Sequence, residues 1–301
     1  MVKKLVIGFS DSPHSMLLAK NIAKLAKIDF RPIKAKKFPD GETNLRFSSD
    51  VKGKTVYIIH SLKTADDDIN NNMMKVIFAA YNAKSLGAMK VILVAPYLAY
   101  MRQDKRFHNY EAISSRIMAT LFNRCFDGLI TFDPHLHRYK SLNEIFTINA
   151  KRLSADRLLA EYIKKTYKKP IIIGPDEESY QWARDIAKMV GCPVDILKKH
   201  RYTAESVRIK IKADLDLKDK SVVIIDDMIS TGHTMMEVIK DARKLGAKKI
   251  YCVCIHGLFV ENAYERMRKL GVKDVVSTNT IENKANKIDI SKMLAEEIKR
   301  N

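Results

Sequence analysis

The chain has 301 residues, enough for two domains of ordinary size, each with a substantial core. With 46% hydrophobic and 30% charged residues it is not a disordered polymer, and no stretch approaches the roughly 18 uncharged apolar residues that a membrane helix needs. Its 54 Lys and Arg against 35 Asp and Glu give a formal charge of +19, which asks for an anionic partner, either nucleic acid or a phosphorylated metabolite.

In chain order, two lysines lead directly into Leu5–Ser10, an apolar run too short for a signal-peptide core, so a cytoplasmic location is expected. Strand-like runs follow at Thr55–Ser61, Lys90–Pro96 and Gly128–Pro134, and again at Pro170–Gly174, Ser221–Asp227 and Lys249–His256. Continuous Val/Ile runs separated by helical segments predict an α/β fold whose mainly parallel sheets are covered on both faces by helices. Met73–Leu86 and Thr234–Leu245 have helical periodicity, and each ends in Leu-Gly-Ala with glycine at the stop. Cys125, Cys192, Cys252 and Cys254 show no CxxC spacing, and the last two alternate with valines, so they read as structural thiols.

The halves resemble one another. Lys52-Gly53-Lys54-Thr55-Val56-Tyr57-Ile58-Ile59 aligns with Lys218-Asp219-Lys220-Ser221-Val222-Val223-Ile224-Ile225, and the helices that follow both close on Leu-Gly-Ala-x-Lys. The pattern predicts two copies of one α/β domain, residues 1–148 and 149–301, with a longer loop after the aligned strand in the first copy.

In the second copy that strand ends in Asp226 and Asp227, then Met228-Ile229-Ser230-Thr231-Gly232-His233-Thr234 opens a helix. Free N–H groups at a helix start, a glycine allowing close approach, and the Ser230, Thr231 and Thr234 hydroxyls suit a phosphate dianion. The two carboxylates suit sugar hydroxyls or magnesium. No GxxxxGK[ST] occurs, so this is not a Walker A loop.

The run from Asp226 to Thr234, with His233 where glycine is common, resembles the phosphoribosyl pyrophosphate loop shared by phosphoribosyltransferases and ribose-phosphate pyrophosphokinases. The first half resembles only the latter family, through Phe38-Pro39-Asp40-Gly41-Glu42 and Pro96-Tyr97-Leu98-Ala99-Tyr100-Met101-Arg102-Gln103-Asp104-Lys105-Arg106-Phe107. Further matches in order are Glu111-Ala112-Ile113-Ser114, Thr131-Phe132-Asp133-Pro134-His135, Gly174-Pro175-Asp176 and Thr278-Asn279-Thr280-Ile281.

The resemblance implies two phosphoribosyltransferase-like domains, with ATP in the first and ribose 5-phosphate in the second. It implies transfer of the β,γ-pyrophosphoryl group of Mg-ATP to the sugar C1 hydroxyl, with Mg2+ as cofactor. Phe38 would stack on adenine, Asp40 and Glu42 would accept from adenine or ribose, and Arg102, Gln103 and Asp104 would complete the ATP site, while His137, to which the resemblance gives no role, is near enough in the same loop to touch ATP phosphates. Metal contacts would come from His135, Asp133 and Asp176, although Glu177, Glu178 and Ser179 follow where relatives continue with glycines. Lys199 and Arg201, after the short strand Val194–Leu197, match the family's flexible catalytic loop and would stabilise the pyrophosphoryl group in flight. No residue stands out as a general base. The 38–42 segment reaches a neighbouring subunit's site in this family, implying a homo-oligomer with a dimer as its minimal unit and a tetramer or hexamer as larger forms, and neither nucleic acid nor membrane as partner. Two alternatives stay open on sequence: a phosphoribosyltransferase, and a silent regulator that binds phosphoribosyl pyrophosphate.

Overall fold

The computed structural model describes residues 2–65, 67–136, 138–201, 207–211 and 216–301; for Glu178, 197–201 and 207–211 it describes the backbone alone. The chain divides into two compact units. One comprises the chain up to Leu153 together with Thr280–Glu282 and Ile290–Asn301, and the other comprises Ser154–Asn279 and Asn283–Asp289.

The first unit contains β1 (Lys4–Phe9), α1 (Pro13–Ala26), β2 (Asp29–Lys37), β3 (Thr43–Phe47), β4 (Thr55–Ile59), α2 (Ile69–Ser85), β5 (Lys90–Ala95), α3 (Ser114–Cys125), β6 (Gly128–Phe132) and β7 (Asn149–Leu153). The second contains α4 (Asp156–Thr166), β8 (Ile171–Gly174), α5 (Glu177–Val190), β9 (Val194–Arg201), β10 (Val207–Ile211), β11 (Ser221–Ile229), α6 (His233–Lys244), β12 (Lys249–Gly257), α7 (Ala263–Lys269), β13 (Asp274–Thr278) and β14 (Asn286–Ile288). The terminal α8 (Ser291–Arg300) belongs to the first unit.

The duplication is literal at the level of topology. One seven-stranded sheet runs β3-β2-β1-β4-β5-β6-β7 and the other β10-β9-β8-β11-β12-β13-β14, the same order displaced by one copy. Every neighbouring pair is parallel except the edge hairpins β2–β3 and β9–β10. The central strands are dry on both faces: Val56, Tyr57, Ile58 and Ile59, and Val222, Val223, Ile224 and Ile225, are all 0% exposed. That explains their unbroken apolar runs.

Small features repeat as well. Gly87 (φ 82) and Gly246 (φ 84) end α2 and α6 in left-handed backbone, and a Cβ on either would press on Lys52 or Lys218, the matching residue before the central strand. Asp219 stands where the first copy has Gly53, yet adopts the same backbone, φ 60 against 68.

Two departures from the expected domains follow from pairing and packing. Strand β7 pairs with β6, Gly128 opposite Asn149 through Phe132 opposite Leu153, so the first sheet extends past residue 148 to Leu153. Helix α8 buries Leu294, Ala295 and Ile298, and the Lys4 ammonium donates to the carbonyls of Ile298 and Lys299 at 3.0 and 3.2 Å. A cation on the last carbonyls suits a helix C-terminus. Among the described residues, no helix is long and apolar enough to cross a membrane.

Candidate active site

In the second unit, β11 runs two residues beyond the expected Asp227 and delivers Ser230, Thr231 and Gly232 to the start of α6. Gly232 is the N-cap, and no side chain caps the helix. The N–H groups of the first turn therefore remain available to an anion, at the positive end of the helix dipole. Ser230 and Thr231 are partly exposed, His233 and Thr234 are exposed, and the His233 Nδ1 lies 3.0 Å from the Thr231 hydroxyl. Glycine at 232 has a reason the sequence did not show. Its backbone sits at φ +71, and an added Cβ would meet the Ala263 Cβ of α7 at 3.2 Å. Helix packing therefore sets this residue.

Asp226 and Asp227 are partly buried beside this loop. Burial pushes the Asp226 carboxyl well above its usual range, and the neighbouring charges of Asp227 and Asp176 push it further. A cation beside Asp226 would relieve that repulsion. Asp176 caps α5, its Oδ1 accepting from the Ser179 amide at 2.8 Å while the Ser179 hydroxyl accepts from the Asp176 amide at 3.1 Å. Ser179 closes this capping box. Among the described residues no three His, Cys, Asp or Glu side chains form a ready-made metal cage. Magnesium needs none, because it binds through one or two carboxylates, water and substrate phosphates.

Lys199 and Arg201 lie not in an open loop but on β9. The antiparallel partner β10 extends that strand past Leu197, with Lys199 opposite Ile209 and Arg201 opposite Val207.

In the first unit, the expected nucleotide segments converge through contacts that the sequence did not reveal. Asp104, with a side chain 2% exposed, does not face solvent for a ligand. Its Oδ1 pairs with the Arg138 guanidinium at 2.6 Å, tying the 102–107 segment to the 133–139 segment. Arg102 is exposed, whereas Gln103 donates to Glu111 at 3.2 Å. The Glu111 carboxylate also accepts from the amides of His108 and Phe107, and these bonds, with the one from Gln103, hold its carboxyl below the usual range. Lys105 lies over the Phe107 ring, 5.2 Å from its centroid.

Asp133, expected among the metal contacts, is engaged by an arginine. It is buried at the end of β6 with φ +27, and its Oδ1 accepts from Arg152 at 3.1 Å. His135, two residues on, is partly exposed. His137 lies outside the described residues. Phe38, Asp40 and Glu42 are exposed on the tight turn between β2 and β3, where the Phe38 amide donates to the Glu42 carbonyl at 2.8 Å and the Gly41 amide donates to the Phe38 carbonyl at 2.9 Å. Arg138, Arg152 and Glu111 are the site-building residues that sequence reasoning gave no role. Pairs separated by 34 and 19 positions leave no local pattern to find.

At the position equivalent to the phosphate loop, the first unit is filled by its own side chains. His60 is 0% exposed, with the Ser15 hydroxyl 2.6 Å from its Nδ1 and the Asn72 Oδ1 2.9 Å from its Nε2. Asp68 caps α2, accepting from the amides of Asn70 and Asn71 at 2.7 and 2.9 Å.

Residues 9–125 match the model of the N-terminal domain of ribose phosphate pyrophosphokinase, and residues 141–291 match the phosphoribosyl transferase domain. A ribose-phosphate pyrophosphokinase of Methanopyrus kandleri is 34% identical over 283 residues, covering 93% of this chain and 94% of that protein. One from Methanothermobacter thermautotrophicus is 33% identical over 296 residues, covering 98% and 100%. The crystal structure of phosphoribosylpyrophosphate synthetase from Mycobacterium smegmatis superposes with a TM-score of 0.85 at 26% identity, covering 99% of this chain and 98% of that one.

Proposed function

The chain belongs to the ribose-phosphate pyrophosphokinase family, and on that premise we propose that it transfers the β,γ-pyrophosphoryl group of Mg-ATP to the C1 hydroxyl of ribose 5-phosphate. The hydroxyl oxygen bonds to the β-phosphorus, the bond from that phosphorus to the α-phosphate oxygen breaks, and AMP leaves with the electron pair. The hydroxyl proton passes to solvent. The observation that carries this reading is the N-terminus of α6, left without a side-chain cap on the loop that follows Asp226 and Asp227, where the first copy's α2 is capped by Asp68.

The 5-phosphate takes the amides and hydroxyls of Ser230, Thr231, Gly232, His233 and Thr234, and the ribose hydroxyls take Asp226 and Asp227. Carboxylates of Asp176, Asp226 and Asp227, and His135 with ATP, would hold magnesium, which would supply positive charge to the phosphates. The ATP site takes Phe38, Asp40, Glu42, Arg102, Gln103 and His137, with Asp104 holding Arg138 in place. Lys199 and Arg201 bring positive charge to the group in flight, where phosphoryl transfer depends on electrostatic stabilisation.

A homo-oligomer, at least a dimer, is the working form. Exposed Met74, Phe78 and Tyr81 on α2, and Ile117 and Leu121 on the adjacent α3, supply apolar surface for it. We place the enzyme in the cytoplasm, a reading supported by four cysteines that all stand free. The test is incubation with Mg-ATP and ribose 5-phosphate. Joint appearance of AMP and phosphoribosyl pyrophosphate supports the reading, whereas pyrophosphate release from phosphoribosyl pyrophosphate plus a nucleobase, with no consumption of ATP in the presence of ribose 5-phosphate, would replace it with a phosphoribosyltransferase.

A further inference from the structure

In the first unit four charged side chains alternate in sign along one line of ion pairs. The Lys37 ammonium meets Asp67 Oδ1 at 3.0 Å, Lys75 meets Asp67 Oδ2 at 2.9 Å, and Lys75 also meets Asp11 Oδ2 at 2.6 Å. The members come from separate elements. Asp11 follows β1, Lys37 closes β2, Asp67 lies between β4 and α2, and Lys75 stands inside α2. Lys75 and Asp67 have side chains 3% and 7% exposed, whereas Lys37 at one end is 42% and Asp11 at the other 27% exposed, so the line has a buried middle and reaches the surface at Lys37.

Burying an ammonium is costly unless opposite charges and hydrogen bonds offset it. Burial pulls Lys75 down, but the bonds and charges of Asp11 and Asp67 outweigh it and leave the group raised. Burial likewise pushes Asp67 up, and donation from Lys75, Asn71 and Lys37 more than reverses that. Both shifts favour the charged forms of Lys75 and Asp67. Stability alone does not call for such an arrangement, because a well-packed apolar side chain at position 75 would avoid the desolvation altogether. Ion pairs instead fix direction, since each oxygen accepts from a defined nitrogen.

What the line fixes at its outer end is Lys37, the residue before Phe38. The 38–42 turn is closed on itself by the Phe38 to Glu42 and Gly41 to Phe38 bonds, so its root sets where the whole turn points. We propose that Lys75 and Asp67 are positioning residues for ATP, acting through Lys37 on the 38–42 turn. The proposal rests on the reading of that turn as part of the nucleotide site.

The test is steady-state AMP formation by the intact assembled protein. Lys37→Met, at a largely exposed position, should raise the KM for ATP about fivefold or more, with kcat and the KM for ribose 5-phosphate staying within about twofold. Lys37→Arg keeps the ion pair and should restore the KM. Asp67→Asn and Lys75→Met should give the same selective rise, and Lys37→Met combined with Asp67→Asn should add nothing further. Should Lys75→Met fail to fold, the Lys37 and Asp67 variants still decide the matter. Equal rises for both substrates, or a lower melting temperature with an unchanged KM, would make the line merely structural and overturn the proposal. Phe38→Ala separates the two readings. A selective ATP effect there with none in Lys37→Met overturns the positioning role alone, and no ATP effect in Phe38→Ala overturns the nucleotide reading of the turn and the proposal with it.

Discussion

The connection after the central strand of the first sheet, residues 60–68, and its counterpart in the second, residues 230–232, leave the same place in the same strand order and treat the next helix in opposite ways. In the first, Asp68 takes the amides of Asn70 and Asn71, and a buried His60 closes the space beneath. In the second, Gly232 offers no side chain, and no side chain caps the start of α6. A capping carboxylate and a phosphate compete for the same N–H groups, so a helix start can be finished by its own chain or reserved for an anion. The edge hairpins diverge in the same manner: β2–β3 carries the Phe38 turn, and β9–β10 carries Lys199 and Arg201. The two copies share the frame and differ in their loops and hairpins.

The largest effect expected from breaking this comparison concerns His60. Burial, followed by the charge of Lys75, outweighs the Asn72 bond and lowers its pKa from 6.5 to about 4. A folded pKa below the unfolded one gives stability that is complete above pH 6.5 and is lost as pH falls from 6.5 towards 4. The loss is on the order of 3 kcal/mol. Melting temperatures of the wild type and His60→Asn should therefore converge over that window, and a difference that does not change with pH would assign the acid sensitivity elsewhere.

Next in size is Lys199→Ala, expected to lower kcat on the order of a hundredfold, about 2.7 kcal/mol, with the KM for ribose 5-phosphate unchanged. Turnover near that of the wild type would remove Lys199 from the chemistry. Ser230→Asp makes the second connection resemble the first by placing a carboxylate before the open helix. The KM for ribose 5-phosphate should rise about tenfold, roughly 1.4 kcal/mol, and the KM for ATP should hold. A parallel rise for ATP would show the loop serving the nucleotide. The smallest effect is Asp68→Ala, which uncaps α2 and should cost about 1 kcal/mol in urea unfolding without altering either KM. An unchanged unfolding midpoint would mean that water replaces the cap at no cost.

The sequence by itself determined the central strands, because a parallel strand buried on both faces must be apolar without interruption. It determined the Leu-Gly-Ala stops at Gly87 and Gly246, where only left-handed backbone with close packing fits. The Asp226 to Thr234 segment was legible for the same reason, since strand end, loop and helix start are contiguous. Tertiary structure decided the edges. Strand β2 alternates exposed and buried residues over Asp-Phe-Arg-Pro-Ile-Lys-Ala-Lys-Lys, too polar to stand out as a run, and it becomes a strand by pairing with β1 and β3. Pairing likewise decided that β7 completes the first sheet, and packing on the first unit returned α8 to it. Folding also chose the partners of the charged residues. Asp104 with Arg138, Asp133 with Arg152, and the line from Lys37 to Asp11 are set by which strand ends the fold brings together. Periodicity reports which way a side chain faces along its own element, and it carries no information about a partner tens of residues away.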